Sequence, residues 1–390
     1  MKFLRLALLF GLVLFFSSPV LAEKQFFVEV VTDNSSLFNM PFTNAAQIVD
    51  QAQKGWMLHS SDKLALQDGT TFYEVYEIDH DGTGFWYVHK AYPNLPTSSV
   101  FINAQDVKIV PDPNADASVT TITVSTELEF LAALGSNRVI ILAPGQYNLS
   151  ASAPEQSLEA IVGKDYYNDD EDMAGLYKSL QDKGITWKYV GDGYELCLTG
   201  ITNLTIQGPP DGPATLLVDP RYAFVLKFDD CHLITLKNFI AGHSEGGYCD
   251  GGVLGFANSS SIDISGCRLF GSGTVGLGLY DVSNINVAST TIFDCTYGIM
   301  QIWDSESITF KSCLFHNNKE YYGVEIRNAQ NIIFDSCSFM NNQGPMFSDG
   351  SEYFGASQNS IIVKNSIFNS NTDTNIQNSP HVTFENCTFK

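Results

Sequence analysis

A pair of apolar residues separated by one polar residue recurs along the carboxy-terminal two thirds of the chain. Two copies show the repetition directly, because "SITFKSCLF" (307–315) and "NIIFDSCSF" (331–339) have the same order of residue types 24 positions apart. Eight copies begin at Leu204, Ile234, Ile262, Ile285, Ile308, Ile332, Ile361 and Val382. Their spacing of 21 to 30 residues and their period of two predict a solenoid in which each turn contains short strands.

A second apolar pair precedes six of these copies by a fixed offset and predicts a second strand in each turn. The pairs are Leu196/Leu198, Leu226/Phe228, Leu254/Phe256, Leu277/Leu279, Met300/Ile302 and Val324/Ile326. Successive turns of such a solenoid stack as parallel sheets with strands about 4.8 Å apart. A residue type that recurs in one register therefore forms a column along the solenoid.

Two polar columns follow from this register. The first contains small side chains and is interpreted as buried; its members are Cys267, Thr290, Cys313, Cys337, Ser366 and Cys387. Stacked side chains point the same way, which is poor geometry for a disulfide. The second is interpreted as turn residues that hydrogen-bond the backbone; its members are Asp230, Asn258, Asp281, Asp304, Asn328 and Asn378. The sequence leaves a disulfide open for Cys231, Cys249 and Cys295, which lie off the first column.

Residues 121–390 resemble the pectin-lyase-like right-handed parallel β-helix superfamily. The similarity includes the opening segment "VSTELEFLAALGSNRVIILAPGQYNLS" (124–150), in which a helix capped by Ser125 and a strand precede a Pro-Gly turn. Leu128, Leu131 and Leu134 share one face of that helix. The resemblance implies an all-β fold, a right-handed parallel β-helix. It implies no single activity, since the superfamily includes lyases, hydrolases, esterases and adhesins.

Residues 24–112 show a different pattern of shorter strands. Their segments "GFWYVHKAYP" (84–93) and "DVKIV" (106–110) resemble the closing strands of a bacterial SH3-like barrel, although that family's Arg-Ser-Gly motif is absent. We predict a small SH3-like β-barrel over 24–112, followed by a linker over 113–120. The resemblance implies binding to cell-wall peptides or glycans.

The first 22 residues have the layout of a cleaved secretory signal peptide. Lys2 and Arg5 precede an apolar run over 6–16, and small residues lead to Ala22. The run is too short to span a bilayer, which needs about 20 residues. The sequence therefore predicts export to the periplasm, the cell surface or the medium, with no transmembrane segment after cleavage.

The charge balance narrows the class of partner. The chain has 21 basic and 43 acidic residues, a formal net charge of −22, and removal of residues 1–22 changes this to −24. Such a surface repels nucleic acid and anionic membranes, and we expect neither as a partner. It also repels an acidic polysaccharide unless a bound cation bridges the two.

Alternation fixes which residues of the second strand point outward. One outward column contains Lys227, Gly255, Gly278, Gln301 and Glu325, and the next contains Asp229, Ala257, Tyr280, Trp303 and Arg327. Aromatic rings stack on the apolar faces of sugars, and amide, carboxylate and guanidinium groups bind sugar hydroxyls. We predict a carbohydrate site formed by Tyr280, Gln301, Trp303, Glu325 and Arg327. The alternative is a surface strand with ordinary cross-strand pairs.

Catalytic candidates come from the same face and from three long segments interpreted as insertions, 208–222, 241–252 and 341–357. A glycosidase needs two carboxyl groups, which Glu325 with Glu245 or Asp250 supplies. A lyase needs a base, for which Arg327 and His243 are candidates beside Lys227. No polygalacturonase signature is present.

An acidic loop, "DYYNDDEDM" (165–173), offers oxygen ligands for Ca²⁺, the one cofactor that the sequence suggests. Its candidate ligands are Asp165, Asp169, Asp170 and Asp172. The loop lacks the spacing of an EF-hand, and the alternative is a solvated acidic loop.

The leading expectation is an exported β-helix protein that binds polysaccharide or cell-wall glycan. The alternatives are a polysaccharide lyase or glycoside hydrolase, and a structural or adhesin-like surface protein. The sequence ends in "CTFK" directly after a strand pattern. We therefore also expect oligomerisation through an uncapped carboxy-terminal coil, because exposed strand edges invite pairing.

Overall fold

The computed structural model describes residues 26–38, 48–55, 57–65, 71–75, 100–110, 119–153, 171–190, 194–209, 212–219, 224–245, 251–349, 359–379 and 381–390. The predicted signal peptide, most of the predicted linker and Cys249 lie outside these residues. The chain divides into two compact units, Met1–Val107 and Lys108–Lys390.

The amino-terminal unit is built on one sheet, and its described strand pairs are antiparallel. Its strands are β1 (Phe26–Val30), β2 (Ser35–Phe38), β3 (Ile48–Ala52), β4 (Met57–Ala65), β5 (Thr71–Val75), β6 (Val100–Asn103) and β7 (Val107–Val110), in the order β3-β2-β6-β5-β4-β1-β7. Val28, Leu37, Phe72 and Ile102 are fully buried. The segment 84–92 lies outside the described residues, and the SH3-like assignment stays a prediction.

The second unit opens with two helices among its strands. Helix α1 is Glu127–Ala133 and helix α2 is Glu171–Gln181. The first half of its strands comprises β8 (Thr120–Val124), β9 (Arg138–Leu142), β10 (Gly145–Asn148), β11 (Ile185–Tyr189), β12 (Tyr194–Thr199), β13 (Thr202–Gln207), β14 (Ala214–Val218), β15 (Leu226–Asp229), β16 (His232–Lys237), β17 (Ile240–His243), β18 (Leu254–Ala257), β19 (Ser260–Ser265), β20 (Arg268–Phe270) and β21 (Val275–Tyr280). The second half comprises β22 (Ser283–Ala288), β23 (Thr291–Phe293), β24 (Gly298–Trp303), β25 (Glu306–Lys311), β26 (Leu314–His316), β27 (Val324–Arg327), β28 (Gln330–Asp335), β29 (Ser338–Met340), β30 (Phe347–Ser348), β31 (Ile361–Lys364), β32 (Ile367–Asn369), β33 (Val382–Glu385) and β34 (Thr388–Phe389).

These strands form three sheets, and each turn of the chain contributes one strand to each sheet. The first sheet is β8-β9-β13-β16-β19-β22-β25-β28-β31-β33, the second is β10-β14-β17-β20-β23-β26-β29-β32-β34, and the third is β11-β12-β15-β18-β21-β24-β27-β30. Their described strand pairs are parallel except β11 with β12, which is antiparallel. The predicted right-handed parallel β-helix is confirmed. Its interior is apolar, and inward phenylalanines stack from rung to rung, as in Phe310 on Phe334 with centroids 4.6 Å apart.

Most corners of the β-helix combine a left-handed residue with a small inward side chain. The turn column is confirmed for five members, which have φ of 47° to 53°: Asp230, Asn258, Asp281, Asp304 and Asn328. Asn378 is not one of them, since it lies in a short 3₁₀ turn, Ile376–Asn378. Asn and Asp tolerate this conformation better than other non-glycine residues.

The predicted buried column of small side chains is confirmed for Cys267, Thr290, Cys313, Cys337 and Ser366, whereas Cys387 is only half-buried. The backbone N–H of Cys267 donates to Oγ1 of Thr290 one rung on, and that of Cys337 donates to Oγ of Ser366. No disulfide joins any two of the seven described cysteines, Cys231 and Cys295 among them. Cys231 and Cys295 occupy equivalent positions in the other two corners, where each donates its backbone N–H to a polar side chain on the next rung.

Two local predictions are wrong. The cap of α1 is Thr126, which forms a capping box with Glu129, so Leu128 points outward and is 46% exposed. The segments 208–222 and 241–252 are not simple insertions, because they contain the second-sheet strands β14 and β17. The third segment, 341–357, contains β30 of the third sheet. Among the described residues no helix is long and apolar enough to cross a membrane.

Candidate functional site

The two predicted outward columns lie side by side on the third sheet. In the first, Lys227, Gly255, Gly278, Gln301 and Glu325 are register partners on β15, β18, β21, β24 and β27. In the second, Asp229, Ala257, Tyr280, Trp303 and Arg327 are partners on the same strands. The structure therefore brings together, on three successive rungs, the five residues that the sequence predicts to bind carbohydrate.

The two glycines of the first column leave room that neighbouring side chains fill. A Cβ at Gly255 would lie 2.7 Å from Cδ of Lys227, and one at Gly278 would lie 2.8 Å from the Tyr280 hydroxyl. Lys227 thus crosses Gly255, and the Tyr280 ring lies across Gly278. The Lys227 Nζ ends between two rings, 4.8 Å from the centroid of Phe224 and 4.7 Å from that of Tyr280, in a favourable cation–π geometry.

A chain of hydrogen bonds fixes the polar groups of three rungs. The Tyr280 hydroxyl donates to Oε1 of Gln301 at 2.7 Å. Nε2 of Gln301 donates both to the Tyr322 hydroxyl at 2.7 Å and to Oε2 of Glu325 at 2.9 Å. Both amide N–H groups of Gln301 are therefore used inside the protein, and the residue acts as a brace that orients Tyr280, Tyr322 and Glu325.

The outer column carries the surface that a ligand can touch. Tyr280 and Trp303 meet edge to face with centroids 5.3 Å apart, and the Arg327 guanidinium lies 5.2 Å from the Trp303 ring. All three side chains are half-buried. The indole Nε1 of Trp303 is buried and has no hydrogen-bond partner among the described residues, so this donor is left unsatisfied beneath the surface, which is uncommon for a buried polar group.

The electrostatics follow from burial beside carboxylates. Burial raises the pKa of the Tyr280 and Tyr322 hydroxyls, and the charge on Glu325 raises both further, so the two phenols stay neutral. Burial lowers the pKa of the Lys227 ammonium, against the opposing effect of Glu195. Glu195 and Glu325 are each only 8% exposed.

Of the remaining catalytic candidates, His243 and Glu245 are described by the structure. His243 is buried at the end of β17 in the second sheet, where its Nε2 lies 3.0 Å from the Gly252 carbonyl. Glu245 is exposed two residues beyond that strand, and Asp250 lies outside the described residues. A pairing of Glu325 with either acid stays a prediction.

The candidate Ca²⁺ loop lies almost wholly outside the described residues. Asp165, Asp169 and Asp170 are not described, and Asp172 lies in the first turn of α2. Among the residues that the structure describes, no group of three or more His, Cys, Asp and Glu side chains is placed to hold a metal ion. The Ca²⁺ assignment stays a prediction.

Three residues of the site were not predicted from the sequence. Tyr322 lies in the turn before β27, where the alternating pattern does not fix the direction of a side chain. Phe224 likewise lies before β15. Glu195 had an available signal, since it directly precedes the apolar pair Leu196/Leu198 and alternation places it outside the core.

Comparisons with known proteins address the fold of this region. A family model described as a right-handed beta helix region matches residues 227–322 and 301–390, which include the strands of the site from β18 to β27. Residues 227–390 form a right-handed β-helix region. The resemblance predicted from the repeat is thereby confirmed. The comparison with curated proteins gives no match.

Solved structures with a similar fold include two lyases and an adhesin. A rhamnogalacturonan lyase is 10% identical, with 63% of this chain and 68% of that chain covered and a TM-score of 0.42. A pectate lyase from Paenibacillus sp. 0602 is 10% identical, with 66% and 72% covered and a TM-score of 0.39. PfbA, a surface adhesin of Streptococcus pneumoniae, is 9% identical, with 70% and 67% covered and a TM-score of 0.41. At such identity the likeness concerns the fold alone.

Proposed function

We propose that this β-helix protein is exported and binds carbohydrate on the outward face of its third sheet. The observation that carries the proposal is the column of Tyr280, Trp303 and Arg327 on three successive rungs, backed by the braced Tyr280, Gln301 and Glu325. Flat rings and fixed polar groups that converge on one surface are the usual composition of a sugar site. Fixing these groups before binding lowers the entropy lost on association.

The two buried carboxylates of the third sheet lie too far apart for glycoside hydrolysis. Glu325 is the only buried carboxylate of the described residues on β24 and β27. The other buried one, Glu195, lies on β12, five rungs away, which corresponds to roughly 24 Å at about 4.8 Å per rung. A hydrolase places its two carboxyl groups about 5 to 10 Å apart, so these two acids do not form a hydrolytic pair.

Binding of the full chain to a glycan microarray, with isothermal titration of any polymer that binds, tests the proposal. We expect Trp303→Ala to weaken binding about tenfold or more, since a central aromatic contact contributes on the order of 1.4 kcal/mol. The matched control is Phe293→Ala, which removes an outward aromatic residue of the second sheet that stacks on His316. Equal affinity of wild type and Trp303→Ala, or equal losses in both variants, would contradict this site.

Export is a separate part of the proposal. It rests on the charged, apolar and small-residue segments of 1–22. Cleavage after Ala22 gives a mature chain that begins at Glu23. Mass spectrometry of protein from the culture medium and the cell envelope tests this, and retention of residues 1–22 in a cytosolic product would contradict it.

Lys227 favours a second candidate function, a lyase reaction. Its lowered ammonium pKa increases the fraction of neutral amine at a given pH, and a neutral amine can accept the proton removed in β-elimination. Incubation with polygalacturonate, with and without Ca²⁺, and measurement of the ultraviolet absorbance of unsaturated products tests it. Product formation that Lys227→Met abolishes would support the lyase over the binding protein.

A further inference from the structure

The charges around the site are predominantly negative. Five carboxylates lie on the two outward columns or at the turn positions that directly follow them, and two cations lie on the columns. The acids are Asp229, Asp230, Asp281, Asp304 and Glu325, and the cations are Lys227 and Arg327. Asp281 and Asp304 directly follow Tyr280 and Trp303 in the chain, and both acids are exposed.

Both cations already interact with groups of the protein. The Lys227 ammonium lies between the Phe224 and Tyr280 rings. Among the neighbouring charges, the Glu195 carboxylate raises the pKa of Lys227 most. The Arg327 guanidinium lies on the Trp303 ring. A carboxylate of a uronic-acid polymer therefore meets the unfavourable field of five acids, while the two cations are engaged by rings and by neighbouring charge.

The polar groups of the site suit hydroxyls. The Glu325 carboxylate accepts hydrogen bonds and repels anions, and a sugar hydroxyl can donate to it. The Tyr280 hydroxyl has donated its hydrogen to Gln301 and keeps acceptor capacity. A neutral sugar offers hydroxyl donors to both of these groups.

We infer that the polymer bound at this site is a neutral glycan and not a uronic-acid polysaccharide. The inference rests on the proposed function and specifies its ligand. The three ligand-facing residues Tyr280, Trp303 and Arg327 are register partners on adjacent strands. A linear neutral chain therefore runs across the rungs, along the axis of the solenoid, with successive units on successive rungs.

Affinity electrophoresis and isothermal titration of the full chain test the ligand class. The neutral probes are galactomannan, arabinoxylan and hydroxyethylcellulose, and the acidic probes are polygalacturonate and alginate, each with and without Ca²⁺. At low salt we expect at least one neutral polymer to bind and each acidic polymer to bind roughly tenfold more weakly. The difference in affinity between neutral and acidic polymers is expected to narrow as salt screens the charges. Trp303→Ala should abolish binding of the neutral polymer.

The double variant Asp281→Asn with Asp304→Asn isolates the charge effect. Asparagine keeps the left-handed turn conformation that both positions adopt, so the fold is preserved. We expect polygalacturonate to bind the double variant several-fold more tightly than wild type, with the affinity for the neutral polymer changed by less than about twofold.

The outcomes separate the two proposals. Tighter binding of polygalacturonate or alginate than of every neutral polymer, under either Ca²⁺ condition, overturns the neutral ligand while the carbohydrate site stands. Binding of neutral polymers that Trp303→Ala leaves intact overturns the location of the site. Binding of no polymer overturns the proposed function, and the neutral ligand with it.

Discussion

Nε2 of Gln301 lies 2.9 Å from Oε2 of Glu325, its register partner on the next rung. The same amide accepts from Tyr280 and donates to Tyr322. One side chain therefore holds two phenols and a carboxylate in fixed positions. The arrangement of the site therefore depends on Gln301 as much as on the residues at its surface.

Replacing the brace should destabilise the fold as well as the site. Gln301→Met leaves the Tyr280 hydroxyl and the Glu325 carboxylate without their partner, and unpaired buried polar groups cost about 1 to 3 kcal/mol each. We expect a loss of about 2 kcal/mol in the free energy of unfolding, measured by urea titration with circular dichroism. Gln330→Met, at an exposed position at the start of β28, is the control. A loss of equal size in both variants would contradict the brace.

A buried asparagine column should contribute more stability than its polar character suggests. Asn342 is fully buried; its Oδ1 accepts from the backbone N–H and the side chain of Asn318, and its Nδ2 donates to the Phe315 carbonyl. Asn342→Leu leaves these groups unpaired, and we expect a loss of roughly 3 kcal/mol in unfolding free energy. Asn369→Ala, on the outward face of β32, should change it by less than about 0.5 kcal/mol. Similar values for both would contradict the column's role.

The cysteines of the interior should resist alkylation. Burial raises the pKa of the Cys267 thiol to about 11 and that of Cys197 to about 12. The reactive thiolate is therefore scarce, and access is also blocked. With iodoacetamide at about pH 8, we expect Cys387, the one described cysteine that is not buried, to react first. Peptide mass spectrometry reads the order, and labelling of Cys267 as fast as Cys387 in native protein would contradict it.

Tyr322 should make stability depend on alkaline pH. Burial, and then the charge on Glu325, raise the pKa of its hydroxyl in the folded state above the ordinary value of 10.0. The folded chain thus keeps a proton that the unfolded chain loses, and the resulting stabilisation is complete below about pH 10 and disappears as the pH rises through the folded pKa.

The urea midpoint of unfolding from about pH 9 to about pH 11 measures this effect. Wild type should lose stability more steeply than Tyr322→Phe, even though the variant starts lower because it has lost the hydrogen bond from Gln301. Tyr321→Phe, whose side chain is 58% exposed, should follow the wild-type slope. If the urea midpoint fell with pH at the same slope in wild type and Tyr322→Phe, the raised pKa of Tyr322 would be contradicted.

The repeat allowed the sequence to predict the rungs and both outward columns. Alternation places Gln301 and Glu325 on the face opposite Ile302 and Ile326, and parallel stacking then makes them partners. The second sheet was harder, because its strands β20, β23, β26 and β29 have only three residues each. A strand of three residues covers little more than one period of the two-residue alternation, so its pattern cannot be distinguished from that of a turn.

The sequence pattern does not predict how side chains cross from one rung to the next. The crossing of Lys227 over Gly255 and of Tyr280 over Gly278 follows from the space above each glycine, which is a property of neighbouring strands and not of either segment. Tyr322 was missed for a related reason, since backbone turns aim it at Gln301 from outside the strand. Local patterns specify the rungs, and contacts between rungs specify the site.

The small-residue corners have a consequence for how this architecture can change length. Cys313 and Cys337, one rung apart, occupy the same corner position and each donates its thiol hydrogen to a carbonyl of the preceding rung. Duplication of a 24-residue turn would add a complete set of corners and leave every column of stacked residues unbroken. An insertion of five residues within a strand would instead displace the residues of all three corners from their columns. Insertion or deletion of whole turns therefore preserves the three sheets, and one added turn would lengthen each outward column by one rung.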